Sequence, residues 1–253
     1  MFNPKTERIK KLAELFPKVI SELENIFGKS ANIYIDWQNV IHWQEKLDWH
    51  FNIRRMKQFF NSFDVIQSVK IYTGTLNGDA KSEGQIKELK DLDYIVSTKP
   101  VKLILLSIDV SSISNNSPDI LKNFVDKNLL SKLDLETIEY LNGKLLDLNK
   151  RGILKIEKLK CNFDVELGMD VQKNIDSDGI ENFIILSGDS DFADPISRIK
   201  ENSKNAVIFF ISRKVTPELN QMNVLIFDVR KIKEFICWPR EMPQSIRSKI
   251  GIL

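Results

Sequence analysis

The chain has 253 residues, of which 42% are hydrophobic and 28% are charged, and its formal net charge is +2. This composition is close to that of average folded domains, so it excludes wholesale disorder and is compatible with one sizeable α/β domain carrying insertions. Two isolated cysteines, Cys161 and Cys237, and two histidines argue against a structural zinc site or a disulfide framework. The sequence shows no signal-peptide layout and no apolar run of membrane-spanning length, so we expect a cytoplasmic location without membrane contact.

A helical pattern opens the chain. Apolar residues recur every three or four positions from Thr6 to Phe27, which predicts one amphipathic helix, and Gly28 is suited to end it. Residues 1–29 are therefore expected to form an N-terminal helical extension. The apolar face of this helix either packs on the protein's own sheet or binds a partner protein or a second copy of the chain.

Strands and helices alternate along most of the remaining sequence. The predicted strands are Ala31–Asp36, Val65–Tyr72, Tyr94–Ser97, Phe183–Leu186 and Ala206–Ile211, and the predicted helices are Ile53–Phe63, Ser82–Leu92, Val165–Asn174 and Pro195–Asn202. This alternation predicts an α/β fold of three layers, in which helices cover both faces of a mostly parallel sheet. The main domain is expected to span residues 30–238, followed by a C-terminal tail at residues 239–253.

The alternation is interrupted between about residues 111 and 152. A loop rich in serine and asparagine is followed there by leucine-rich helical segments, which predict a helical insertion and a second surface on which a partner is able to bind. Gly152 is expected to end the insertion. The segment Ile153–Leu159 is then predicted to form a strand that returns to the main sheet.

Acidic residues occur in three distant segments, each at the end of a predicted strand or the start of a predicted helix. They are Asp36, with Asn39 close behind it; Asp164; and Asp189 and Asp191, which directly follow Ser187. The carboxyl ends of parallel strands share one edge of a sheet, and ligands bind in the crevice beyond that edge. We therefore expect the three segments to converge there.

Each of these segments, taken alone, has a simpler interpretation. A strand-end aspartate is usually a helix N-cap, and Asp189-Ser190-Asp191 is compatible with an ordinary acidic turn. Convergence of all three favours a common pocket. Neighbouring carboxylates raise each other's pKa unless a cation offsets their charge, and ligand sets made only of oxygen favour Mg²⁺ or Mn²⁺.

Three segments carry a recognisable pattern: Tyr34-Ile35-Asp36-Trp37-Gln38-Asn39, Asn162-Phe163-Asp164-Val165-Glu166-Leu167-Gly168-Met169-Asp170, and Leu186-Ser187-Gly188-Asp189-Ser190-Asp191-Phe192. In order and spacing they resemble the signature segments of NYN domains of the LabA group. The resemblance extends from about Ala31 to Ile236, apart from the insertion. It implies a PIN-like fold and a divalent-metal-dependent ribonuclease.

The resemblance also implies roles for individual residues. Asp36, Asp164, Asp189 and Asp191 would form the catalytic and metal-binding cluster for Mg²⁺ or Mn²⁺, with Asn39 and Ser187 as polar groups of the same pocket. Asp170 also matches a family position, but the helical period places it well round from Asp164, so we rank it and Glu166 as supporting or structural. Hydrolysis of RNA is expected to leave a 5′-phosphate on one product and a 3′-hydroxyl on the other.

Four residues are candidates for RNA contacts. Arg213 and Lys214 follow the last predicted strand, and Lys160 belongs to a basic stretch that leads to Asp164, so each is placed to bind phosphate. A solvated surface explains these three equally well. Trp37 would stack on an unpaired base if it were exposed, although most tryptophans are mainly buried.

Two other classes of function compete with the nuclease. One is a catalytically silent NYN-like module that binds RNA or a partner protein, against which the intact set of acids argues. The other is a phosphatase or phosphotransfer domain with Asp36 as the nucleophile. We disfavour the latter because Trp37-Gln38 follows Asp36, whereas phosphatases of the haloacid dehalogenase type have a second aspartate two residues on.

Overall fold

The computed structural model describes residues 1–76, 78–107, 130–151, 155–177, 179–211 and 216–251, with only the backbone described at 103–107, 149 and 155–160. The chain divides into two compact units. The first consists of Met1–Pro100 together with Cys161–Leu253, and the second is Val101–Lys160. None of the described helices is long and apolar enough to cross a membrane.

The first unit is built on a parallel sheet of six strands. In chain order the strands of the protein are β1 Ala31–Asp36, β2 Ile66–Thr75, β3 Ile95–Pro100, β4 Lys102–Ser107, β5 Lys155–Lys160, β6 Asn182–Leu186, β7 Asn205–Phe210 and β8 Leu225–Asp228. The order across the sheet is β3-β2-β1-β6-β7-β8. The chain thus adds strands outward from β1 in one direction and outward from β6 in the other. A crevice beyond the carboxyl ends of β1 and β6 is the usual ligand position in such a sheet.

Helices cover both faces of this sheet. The described helices of the whole chain, of which α6 belongs to the second unit, are α1 Glu7–Leu15, α2 Pro17–Phe27, α3 Trp37–Leu47, α4 Ile53–Phe60, α5 Ala80–Asp91, α6 Leu135–Lys150, α7 Asp164–Asp176, α8 Ala193–Glu201, α9 Pro217–Gln221, α10 Lys233–Ile236 and α11 Gln244–Ile250. Because side chains alternate along a strand, Ile33 and Ile35 enter the core shared with α1–α5, whereas Tyr34 enters the core shared with α7–α9. The predicted three-layer α/β fold is confirmed.

The prediction of one helix from Thr6 to Phe27 is wrong. The chain forms α1 and α2, separated at Phe16, whose φ of −125° and ψ of 51° are not helical. The cause is Pro17, because proline disfavours a helical conformation at the residue before it. Gly28 ends α2 at a φ of 57°, as predicted.

The apolar face of α1 and α2 is buried within the first unit. Ile9, Leu12, Leu23 and Phe27 are all fully buried in the same core as Ile33. Of the two uses predicted for this face, packing on the protein's own sheet is therefore the one observed, and the face is not free for a partner.

The second unit contains β4, β5 and α6. We predicted that Ile153–Leu159 returns to the main sheet, but β5 instead pairs antiparallel with β4 in a separate two-stranded sheet. Alternation of apolar residues predicts a strand without specifying its partner, which explains the error. Of the predicted insertion at 111–152, residues 130–151 are described and contain α6, while residues 111–129 and Gly152 lie outside the described residues.

Several elements of the first unit were not predicted from the sequence, among them α3, β8 and α11. Helix α3 begins directly after Asp36, β8 forms the outer strand of the sheet, and α11 lies in the segment expected to be a tail. Met242 and Ile250, from that segment, are buried in the same core as α1. The C-terminal segment therefore belongs to the packed structure of the first unit.

Candidate active site

Asp36 is the last residue of β1, and Ser187 directly follows the last residue of β6. Strand β1 is paired in parallel with β6 as far as Ile35 opposite Leu186, so Asp36 and Ser187 come next along the two strands where this pairing ends. Asp36 caps α3, because its Oδ1 accepts a hydrogen bond from the backbone N–H of Asn39 at 3.2 Å. The Ser187 hydroxyl donates to Asp36 Oδ2 at 3.3 Å, so both carboxylate oxygens are held.

The loop after β6 is ordered by its own side chains. The Ser187 Oγ accepts from the backbone N–H of Asp189 at 3.2 Å, and Asp189 Oδ1 accepts from the backbone N–H of Asp191 at 3.2 Å. A short 3₁₀ helix over Ser190–Phe192 follows. The single hydroxyl of Ser187 therefore links Asp36 to the segment that carries Asp189 and Asp191.

Gly188 allows this loop to approach the sheet. A Cβ at this position would overlap the Phe210 ring, with Cζ at 2.6 Å and Cδ2 at 2.7 Å. The backbone N–H of Gly188 donates to Asn39 Oδ1 at 3.4 Å. Asn39 thus connects the start of α3 to the loop after β6, and the site depends on glycine at 188.

The third acidic segment begins α7. Asp164 is the first residue of the helix, and its backbone N–H donates to Asn162 Oδ1 at 3.0 Å. Burial, followed by the negative charges of Asp191 and Asp189, raises the pKa of Asp164. The three distant segments therefore converge closely enough for their carboxylates to interact.

Asp36 is the most strongly perturbed of these acids. Burial raises its pKa to about 6, the hydrogen bonds from Asn39 and Ser187 oppose this shift, and the charges of Asp189 and Asp164 add to it. An ionised Asp36 is consequently costly in this pocket. A bound cation would lower that cost.

Asp170 and Glu166 differ from these four acids because each is paired with a lysine. Lys70 Nζ contacts Asp170 Oδ2, which also accepts from the Tyr72 hydroxyl at 2.8 Å, and Lys99 Nζ contacts both carboxylate oxygens of Glu166 at 2.8 Å. In the described part of the chain, none of Asp36, Asp164, Asp189 and Asp191 makes an ion pair. Among the described residues, the four acids therefore form a negatively charged cluster in which no acid is ion-paired.

The donor chemistry of this cluster fits a hard divalent cation, since its side-chain donors are carboxylate, hydroxyl and amide oxygens. Within the ranges that the structure describes, however, no three His, Cys, Asp or Glu side chains are close enough together to hold a metal ion. The described arrangement thus brings suitable oxygen ligands to one edge of the sheet without gathering three of these side chains around one point.

The predicted RNA contacts are placed as follows. Trp37 is only 3% exposed and belongs to the core, so the expectation of an exposed stacking surface at this residue is wrong. Lys160 is the last residue of β5, in the second unit, where only the backbone is described. Arg213 and Lys214 lie outside the described residues, and phosphate binding by these three residues stays a prediction.

A cavity next to the acids was missed from the sequence. It lies between α7 and α8 and has a volume of about 490 Å³, and it is lined by Asp164, Val165, Gly168, Met169, Gln172, Asp191, Asp194, Pro195 and Arg198. The sequence feature that could have indicated this cavity is the pair of apolar residues Val165 and Met169, one helical turn apart. Helical periodicity alone, however, assigns such a pair to a buried face.

The sheet order and the acidic loops at its centre define the class of protein: an α/β protein of the PIN-like type. The family model of the NYN domain matches residues 135–228 of the chain. The match includes Asp164, Asp189 and Asp191, whereas Asp36 precedes it. It does not distinguish the LabA group from other NYN domains, so that assignment stays a prediction.

One solved structure resembles the chain along most of its length. It is a protein of unknown function from Vibrio parahaemolyticus, with 17% sequence identity and a TM-score of 0.49, and the alignment covers 82% of this chain and 96% of that one. No curated protein matches the chain significantly.

Proposed function

We propose that the chain is a divalent-metal-dependent ribonuclease that hydrolyses phosphodiester bonds at the acidic cluster. The observation that carries the proposal is the convergence of Asp36 and Asp189, held by one Ser187 hydroxyl, at the crevice between β1 and β6. Asp164 interacts electrostatically with the same group. The match to the NYN-domain family model, a PIN-like nuclease type, agrees with this chemistry.

The residues that would hold Mg²⁺ or Mn²⁺ are Asp36, Asp164, Asp189 and Asp191. When bound at such a site, an ion of this kind lowers the pKa of a water molecule and stabilises charge on the phosphodiester. The protein contributes the positions of the ligands. Ser187 and the Asn39 backbone fix both oxygens of Asp36, and Asn39 Oδ1 fixes the backbone of the loop that carries the other acids.

A second candidate function is a catalytically silent NYN-like module that binds RNA or a protein. The separation of the acids favours it, since in the described residues no three of them are close enough to hold a metal. The electrostatics of the acids favour the nuclease instead. Burial, with a smaller contribution from the neighbouring acids, raises the pKa values of Asp36 and Asp164, and a bound cation would offset the cost of their ionised forms.

Substitution of Asp189 with asparagine tests the proposal directly. We expect the wild-type protein to cleave labelled RNA in Mn²⁺ or Mg²⁺ but not in EDTA. Asp189→Asn should cleave about 1000-fold more slowly, which corresponds to a loss of several kcal/mol of charge stabilisation in the transition state. Asp91→Asn, an exposed acid on α5, is the matched control and should cleave like wild type. Equal cleavage by wild type and Asp189→Asn would overturn the nuclease; RNA binding without cleavage of any RNA would support the silent module.

Ser187→Ala is expected to lower metal-dependent cleavage about 10- to 100-fold, as is usual for residues that orient metal ligands. The variant loses the hydrogen bonds that join Asp36 to the backbone of Asp189. Cleavage rates measured over a series of Mn²⁺ concentrations should show that part of the loss is recovered at high Mn²⁺. A Ser187→Ala protein with wild-type rates at low Mn²⁺ would show that this hydroxyl does not position the acids.

A further inference from the structure

The cavity between α7 and α8 is continuous with the candidate active site. Asp164 and Asp191 belong to both, and the rest of the cavity extends from them along the two helices. Its volume of about 490 Å³ lies within the range of pockets that bind small organic ligands. A substrate bound at the acids therefore has a neighbouring concave surface to occupy.

One wall of the cavity is apolar and open to solvent. Val165 is 70% exposed and Met169 is 69% exposed, and the two lie one turn apart on the same face of α7. Gly168 lies between Val165 and Met169 and has no side chain to fill the cavity. A Cβ at this position would contact only Pro195 Cγ, at 3.6 Å. The unbranched, adaptable side chain of methionine is suited to contact with a flat ring.

The cavity also contains an arginine, Arg198, whose described hydrogen bond is to an amide rather than to a carboxylate. Arg198 Nη1 donates to the amide oxygen of Gln172 at 3.2 Å, and Gln172 Nε2 donates to Asp176 Oδ1 at 2.9 Å. Among the described residues Arg198 makes no ion pair. A guanidinium that is oriented but not neutralised is suited to bind a phosphate group.

The remaining charges of the cavity are negative. Asp164, Asp191 and Asp194 line it with Arg198, so a free polyanion is repelled until a cation neutralises the acids. Binding of an anionic ligand is consequently expected to require a divalent metal.

We propose that this cavity binds the nucleotide next to the scissile phosphodiester of single-stranded RNA, a proposal that rests on the proposed ribonuclease function. The base lies against Val165 and Met169, and Arg198 binds a backbone phosphate. A base that contacts this apolar wall must be unpaired, so double-stranded RNA is excluded from the cavity.

The test is the affinity for a short fluorescein-labelled oligouridylate, measured by fluorescence anisotropy in Ca²⁺ over a range of KCl concentrations. The variants are Arg198→Gln and the double variant Val165→Ser with Met169→Ser. Lys200→Gln, also on α8 but outside the cavity, and Leu225→Ser, an exposed apolar residue of β8, are the matched controls. Thermal unfolding and far-UV circular dichroism establish that every variant is folded.

The two variants should weaken binding in different ways. Arg198→Gln is expected to lower affinity about fivefold and to reduce the slope of log affinity against log salt by about 0.7, the value for one lost phosphate contact to a single strand. The Val165 and Met169 double variant should lower affinity about fivefold without changing the slope, since no charge is lost. Both controls should match wild type.

The outcomes separate this proposal from the proposed function. Wild-type affinity in both cavity variants, in proteins that still cleave RNA, would overturn the cavity proposal and leave the nuclease intact. Weakened binding by both variants in a protein that cleaves no RNA would support the cavity as an RNA subsite and overturn the nuclease. Equal loss of affinity for a perfectly paired RNA duplex would overturn the assignment to an unpaired nucleotide.

Discussion

Replacement of Asp36 with asparagine is expected to remove metal-dependent cleavage and at the same time to stabilise the metal-free protein at pH 8. The loss of activity should be about 1000-fold, because the variant lacks one of the charged ligands. The gain in stability follows from the pKa of about 6, which burial produces in the folded state. The two effects have the same origin, since the charge that a metal requires is the charge that the pocket disfavours.

The sign of the stability effect follows from proton binding. The carboxyl of Asp36 has an ordinary pKa of 3.8 in the unfolded chain and about 6 in the folded protein. Between these values the folded state binds more protons, so the free energy of unfolding of the wild type falls as pH rises through this window. Above it the ionised carboxylate costs about 2 to 3 kcal/mol, which Asp36→Asn avoids.

Denaturant unfolding of metal-free wild type and Asp36→Asn at a series of pH values measures this effect. Asparagine is as good an N-cap as aspartate, so α3 should keep its cap, and its Nδ2 is able to donate to the Ser187 hydroxyl oxygen in place of the hydrogen bond that Asp36 Oδ2 accepts. The main difference between the two proteins is then the charge. The difference between the two proteins should be largest at pH 8 and absent near pH 3. A variant less stable than wild type at pH 8 would contradict the view that Asp36 is a strained acid in the absence of metal.

The sheet and the acids could be predicted from the sequence because their signals are local. A buried strand such as Ala31–Asp36 is a short apolar run bounded by polar residues, and its last residue is necessarily at the carboxyl edge. Convergence of Asp36, Asp164 and Asp189 then follows from parallel topology. The predicted and the observed convergence of these acids agree because each acid's position follows from where its strand ends or its helix begins.

Other features depend on contacts that the local pattern does not contain. The sequence of β5 predicts a strand but does not specify which strand it pairs with, and β5 pairs with β4. Trp37 lies directly after Asp36, yet it is buried because the start of α3 turns it into the core. Lysine pairing separates Asp170 from the acidic cluster, and Lys70 is 100 residues away in the chain.

The cavity between α7 and α8 was hidden for a related reason. Val165 and Met169 have the spacing of a buried apolar stripe, and Leu167 and Val171 on the same helix are in fact buried. Only the packing of α8 against α7 decides which of these side chains remains exposed. A helix with apolar residues on more than one face is therefore a useful sign of a binding surface, but it does not identify that surface.

Gly188→Ala is expected to be the most damaging small substitution near the site. The new Cβ would overlap the Phe210 ring, and that ring is held from both sides, since it packs against both cores and lies edge-on to Trp43 at 5.5 Å between centroids. Because the ring has little room to move, the loop must shift instead. We expect a loss of about 2 to 3 kcal/mol of stability, typical of overpacking, together with loss of cleavage.

Two further variants test whether overlap with the Phe210 ring causes this loss of stability, which is measured by urea unfolding. Gly168→Ala on α7 is the matched control, because its Cβ meets only Pro195 Cγ at 3.6 Å, and it should be neutral or stabilising by up to about 1 kcal/mol through helix propensity. Phe210→Leu removes the obstructing ring edge, so the double variant Gly188→Ala with Phe210→Leu should recover stability relative to Gly188→Ala alone. If the two substitutions are instead simply additive, the overlap with Phe210 is not what requires glycine at position 188.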